Sequence, residues 1–224
     1  MPSTGTYSPS TNELMAIRNA LFGWSDVDGL GPQYFAPRRV ERALYNFLVS
    51  GTSVSPAILR NLSKGRARVN NFFYLINQTI RPTAPKQPDC YLDETTLFLE
   101  QLAEQAEIWR KGAFINLDMS RAEQDIYFRV VAKTAPVLFN MGFVDAIPHS
   151  AQVSRLTASM ANHLGARHSE LLQAAIVGWL HDPKLNPQID LSKENLATHP
   201  INAAGLAWCV LSDPEVARML LAYF

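Results

Sequence analysis

The stretch from Leu171 to Leu180 restricts the fold more than any other part of the chain. Leu171, Leu172, Ala174, Ala175, Ile176, Val177, Trp179 and Leu180 leave Gln173 as the one polar residue among them. At 3.6 residues per turn these side chains run nearly all round a helix, and a helix that is apolar on every side is surrounded by other elements. It has about half of the ~20 residues that a bilayer span requires, so its surroundings must be protein. Ser169 predicts its cap and Pro183 its end, giving a helix from Glu170 to about Asp182. Its last residues are His181 and Asp182. A buried helix that ends this way delivers an imidazole and a carboxylate into the interior. A buried carboxylate without a partner is costly, and a cation removes that cost.

The rest of the chain supplies the surroundings. Its 224 residues are 47% hydrophobic, enough for one large domain or two small ones. Nearly every periodic segment has the helical period, and none shows sustained strand alternation, so the expected fold is an all-α helical bundle. Residues 1–11 are small, polar and aperiodic and are expected to be a disordered tail. Helices are expected from Asn12 to Phe22, from Pro37 to about Val49, from Ser55-Pro56 to Leu62, and from a Ser63 cap through about Ile80. Pro82, Pro85 and Pro88 mark a stiff connection. Asp93 would cap a helix from Glu94 to Lys111, with Leu97, Leu99, Leu102, Ala106 and Trp109 on its apolar faces. Asp118 or Ser120 would cap the next, through about Met141, with Ile126, Val130, Val131 and Leu138 inward and Pro136 as a kink or break. A further helix opens at His149 and runs to about Leu164 on a stripe of Val153, Leu156 and Met160.

Charge and cysteine usage exclude several classes. Net charge is zero, so no global field points to nucleic acid or membrane. Residues 1–90 hold 10 Lys and Arg against 5 Asp and Glu, and residues 91–224 hold 10 against 15. The basic front half carries Arg38, Arg39, Arg42, Arg60, Lys64, Arg66 and Arg68. A short helix before a longer basic one admits a helix-turn-helix, but a solvated basic face is the preferred reading and nucleic acid is not expected as a partner. Asp26 and Asp28 lack the later carboxylates of a calcium loop. Glu100, Glu104 and Glu107 read as a solvated acidic face. Cys90 and Cys209 lie far apart and imply reduced thiols in a cytoplasmic protein. The N-terminus has no signal-peptide pattern, and no apolar run is long enough to cross a membrane.

All five histidines fall between residues 149 and 200. Taken singly, His149 reads as a helix-terminal surface residue and His181 as a core histidine. Taken with Asp182 and His199, they form a set of divalent-metal ligands carried on helices. His163 and His168, at a helix end and the following turn, are left out of that set. The residues then resemble the HD superfamily of metal-dependent phosphohydrolases, in which a first histidine, a His-Asp pair and a later aspartate are carried on a helical bundle. His149 matches the first histidine, 32 positions before the pair His181-Asp182. The pair is preceded by the apolar Val177-Gly178-Trp179-Leu180, and His199-Pro200 is similar to the extra histidine motif of relatives that bind two metals, including HD-GYP members. The resemblance covers roughly residues 145–224. It divides the chain into the tail, a helical region of unassigned role at 12–140, and an HD-like helical domain at 141–224.

Departures from the family pattern are equally visible. Relatives continue the pair as Asp-Ile-Gly-Lys, whereas this chain reads Asp182-Pro183-Lys184. No Gly-Tyr-Pro signature is present, and the family's final aspartate has only Asp190 or Asp213 as a candidate, so the expectation is either a domain cut short at its C-terminus or a natural short form with an incomplete metal shell. The resemblance implies His149, His181, Asp182 and His199 as ligands of Fe, Mn, Zn or Ni. It also implies Asp182 and Lys184 as residues acting in the hydrolysis of a phosphate mono- or diester. The partner would be a phosphoester or nucleotide small molecule, with a protein partner or homo-oligomer left open. The competing expectation is a non-catalytic HD relative, a regulatory or protein-binding module with an incomplete metal shell.

Overall fold

A computed structural model describes residues 36–80, 90–113, 119–142 and 146–181, together with Ala203, Ala204 and Ala207. The described chain is all-α: six α-helices, and no strand among the described residues. They are α1 (Arg38–Ser50), α2 (Pro56–Ile80), α3 (Leu92–Ile108), α4 (Arg121–Met141), α5 (Ala146–His163) and α6 (His168–Leu180), with a π-helical turn Trp109–Ala113 after α3. None of the described helices is long and apolar enough to cross a membrane. The expected helix over 12–22, the connection around Pro82–Pro88, and Asp182, Lys184, Asp190, His199 and Asp213 lie outside the described residues.

Local chemistry explains several boundaries. Ser120 caps α4 reciprocally, its hydroxyl accepting from Glu123 N while Glu123 accepts from Ser120 N, which satisfies two otherwise orphaned donors. Pro136 does not divide the helix, which continues to Met141. Gly51 ends α1 with φ 70°, and its N–H donates to Phe47 O, a left-handed stop that glycine adopts without a Cβ penalty. The Arg110 guanidinium, arriving from the π turn, donates to Phe47 O and Leu48 O at 3.1 and 2.8 Å. It thus supplies both donors and a positive charge to the C-terminus of α1.

The two helices expected over 55–62 and 64–80 are one helix. No breaker separates Leu62 from Lys64, and Ser63 sits mid-helix, buried, rather than at a cap. Its hydroxyl accepts from Tyr91 N at 2.9 Å and so fixes where α3 begins. With no turn between two helices, the helix-turn-helix alternative is removed. Arg66 departs from the solvated basic face expected of it. Its side chain is only 8% exposed and donates to Glu94 Oε2, Asn70 Oδ1 and the Asn140 carbonyl, each at 3.2 Å. One buried guanidinium therefore ties α2 to both α3 and α4, which is how a buried charge is accommodated.

The core is one continuous cluster from Val40 to Ala207. Trp109 stands at its centre, edge-on to Tyr127 at 5.4 Å and to Trp179 at 6.0 Å between ring centroids, within the range aromatic pairs favour. The expected burial of the stretch 171–180 is found: Leu171, Ala175, Ile176, Val177, Trp179 and Leu180 are all in the core. Ala203, Ala204 and Ala207 are likewise fully buried. Three expected stripes need correction. Along α3 and the turn after it, Leu102, Ala106 and Trp109 are buried as expected, but Phe98, tilted against Phe139 at 4.7 Å, is inward and Leu97 is exposed. On α4, Tyr127 and Phe128 point inward and Ile126 outward. On α5, Leu156 and Met160 are each 57% exposed, and the buried face is Ile147, Ser150, Ala151, Ser154 and Ala158.

Candidate functional site

The small-residue face of α5 decides how α5 and α6 meet. They form an antiparallel pair joined by a tight connection around Gly165, and they approach closely enough for side chains to bond the opposite backbone. Ser154 Oγ donates to Ala175 O at 2.7 Å and Thr157 Oγ1 to Ala174 O at 2.8 Å. Because the single Ser154 proton is used this way, Tyr127 OH is the donor in its 2.8 Å bond to Ser154 Oγ. Burial pushes the Tyr127 hydroxyl well above its ordinary range, which keeps it protonated for that role. Gly178 completes the approach. A Cβ there would lie 2.3 Å from Thr157 Oγ1, 2.7 Å from Ser154 Cα and 2.8 Å from Val153 O, so no larger residue fits without moving a helix.

In an antiparallel pair the start of one helix lies beside the end of the other. His149, in the first turns of α5, therefore meets His181, the residue that closes α6. Their Nε2 atoms are 3.1 Å apart and their ring centroids 5.0 Å. His181 Nδ1 lies 2.9 Å from Gly178 O. A carbonyl only accepts, so Nδ1 carries the proton and Nε2 of His181 is the lone-pair nitrogen that faces His149. This is the arrangement by which a backbone carbonyl fixes the tautomer and the direction of a metal-binding imidazole. With bonds of about 2.0–2.2 Å and angles between tetrahedral and right-angled, two nitrogens on one cation stand about 2.8–3.6 Å apart. The observed spacing lies inside that interval. The C-terminal carbonyls of α6 add partial negative charge at the same place, which favours a cation.

The pair brings together two imidazole nitrogens at a spacing that one cation would allow and that is also ordinary for a hydrogen bond. Among the described residues no group of three or more His, Cys, Asp or Glu side chains converges, and Asp182, Lys184 and His199 lie outside those residues. His149 is exposed and His181 half-buried, so the pair opens to solvent. His163 and His168 are exposed at the far end of the α5–α6 pair, and Glu100, Glu104 and Glu107 are exposed along α3. Sequence reasoning overlooked Gly178, whose carbonyl bonds His181, and Ser154 and Thr157, which set the approach of the two helices by bonding the opposite backbone. The signal was present as small residues at Ser150, Ala151, Ser154 and Ala158, spaced by helical turns. Compared with protein-family models, with curated proteins and with solved structures, the chain matches none.

Proposed function

We propose that this chain is an HD-type, metal-dependent phosphohydrolase acting on a phosphate mono- or diester. The observation that carries the reading is the 3.1 Å approach of His149 Nε2 to His181 Nε2, with His181 anchored by the Gly178 carbonyl. Two imidazoles held at ligand spacing, one of them directly followed by Asp182, fit a first shell for Fe, Mn, Zn or Ni. A cation in such a site supplies Lewis acidity: it makes a water more acidic and polarises a phosphoryl oxygen. The work of the chain is to orient and to hold. Gly178 O directs His181, the tight α5–α6 contact sets the distance to His149, and the open rim admits a ligand from solvent. Asp182 and His199 would complete the ligand set, and Lys184 would balance charge on the phosphoryl oxygens.

The test is metal content by elemental mass spectrometry, for wild type and His181→Ala side by side. A near-stoichiometric metal in the wild type is expected to be lost in the variant, together with phosphatase activity on a generic phosphoester. Helix content should survive, because His181 closes α6 rather than supporting its interior. A wild type that takes up none of the four metals would sink the enzyme reading. The short His149–His181 contact would then be an ordinary imidazole–imidazole hydrogen bond in a non-catalytic HD relative.

A further inference from the structure

Away from the histidine pair, α1 and α4 lie side by side and enclose a groove of about 860 Å³. Its volume is within the roughly 300–1,000 Å³ of small-molecule pockets. Arg38 and Arg42 line it from α1, Arg129 and Lys133 from α4, and Glu41 is the one carboxylate of the lining. Both cation pairs are spaced i, i+4, so each pair projects from one face of its helix, where like charges repel. Arg129 is already committed. It donates to Asp125 at 2.8 Å and stacks over the Tyr45 ring at 4.8 Å, which turns the guanidinium into part of the wall. Arg38, Arg42 and Lys133 make no ion pair among the described residues. Arg38 and Arg39 also open α1, where the helix dipole is already positive and basic residues are unfavourable. Nothing in the core requires this concentration of charge, since Arg38, Arg42 and Arg129 are exposed.

An anion relieves all of these repulsions together. A single phosphate meets one helix's pair. A ligand with two or more phosphates spans both pairs, and the flat guanidinium forks suit phosphoryl oxygens. Arg129 covers one face of the Tyr45 ring, and the four cations are confined to a groove rather than drawn out along a helix face as for a duplex. The zero net charge of the chain likewise supplies no long-range attraction for nucleic acid. We propose that the α1–α4 groove is a binding site for a small, multiply phosphorylated ligand. This site is separate from the histidine pair and does not depend on the metal reading.

Isothermal titration on the full chain, in EDTA, with inorganic tripolyphosphate, ATP, inorganic phosphate and a single-stranded oligonucleotide tests the assignment. Tripolyphosphate and ATP are expected to bind, and inorganic phosphate at least ~10-fold more weakly. If ATP alone binds, a nucleoside portion is part of the ligand. If both bind alike, the phosphates suffice. Arg42→Gln/Lys133→Gln should weaken tripolyphosphate binding by roughly 10- to 100-fold. Arg60→Gln, which removes an exposed cation outside the groove, should leave it unchanged. His181→Ala should also bind normally, so failure of the metal reading and failure of this one are told apart. The proposal is overturned by any of three results: no tripolyphosphate or ATP binding at millimolar concentration, equal losses in the groove variant and Arg60→Gln, or binding of the oligonucleotide without tripolyphosphate.

Discussion

Replacing Gly178 by alanine adds one methyl group where α5 and α6 leave no room for it. The added Cβ would stand 2.7 Å from Ser154 Cα and 2.8 Å from Val153 O, against an ordinary contact of at least 3.4 Å. Thr157 Oγ1, at 2.3 Å, can turn aside, but the two backbone atoms cannot. The helices must therefore part by about 0.6–0.7 Å, and overpacking of this kind costs about 1–3 kcal/mol. The Ser154–Ala175 and Thr157–Ala174 bonds stretch with them, each worth about 1 kcal/mol. Against this stands the ~1 kcal/mol by which alanine is the better helix former. The net expectation is a destabilisation of about 2–3 kcal/mol in urea unfolding. The same movement takes the two Nε2 atoms from 3.1 Å to about 3.8 Å, beyond the ~3.6 Å that one cation permits. If the pair holds a cation as proposed, metal affinity should then fall by about 10-fold or more. A Gly178→Ala protein as stable as the wild type, or more stable, would refute the close-approach argument. The propensity gain would then have been the only effect.

Other substitutions probe the frame around the site. Arg66→Ala removes three donors to α2, α3 and α4 and should cost about 2 kcal/mol in chemical denaturation, since the Asn140 carbonyl loses a bond in a buried place. A change within a few tenths of a kcal/mol would show that the guanidinium is not a tie. Ser120→Ala should cost about 1 kcal/mol through loss of the cap on α4, and an unchanged urea midpoint would contradict it. Tyr45 and Arg129 both bond Asp125 and hold its carboxyl below the ordinary value of 3.8. A lowered folded-state value means stability that is present above pH 3.8 and lost as pH falls through the lower value. Tyr45→Phe should therefore reduce stability mainly above that pH, the difference closing toward pH 2. A deficit that stays constant across urea titrations from pH 2 to 7 would rule out the carboxylate as its source.

How far the chain could be read in advance varied with the scale of the interaction. The helical character of the chain, a cap at Ser120 and the burial of Leu171 and Ala175–Leu180 depend on residues within a few turns of each other, and each is found among the places the sequence offers. The stripe of α5 misled because Leu156 and Met160 are the larger apolar residues, yet they face solvent. The neighbouring helix presents Gly178 and two bonded carbonyls, so contact favours the small side chains Ser150, Ala151 and Ser154. Ser63 had the identity of a cap but a buried mid-helix place, because only the folded chain brings Tyr91 N to its hydroxyl. Arg66 resembled its exposed neighbours until three acceptors from three helices surrounded it.

The histidines show the same division. That His149 and His181 should lie together is an expectation from residue type and from the resemblance. That their Nε2 atoms face each other across 3.1 Å could not be inferred, since 32 residues of intervening chain set no distance. The antiparallel pairing of α5 and α6 set it, through a glycine with no Cβ, two hydroxyls bonding the opposite backbone, and a carbonyl holding one ring in place. Local propensity and apolar period are carried by neighbours along the chain and belong to the sequence. The spacing of the two imidazoles and the gathering of four cations along one groove are carried by neighbours in space, and only the tertiary structure decides them.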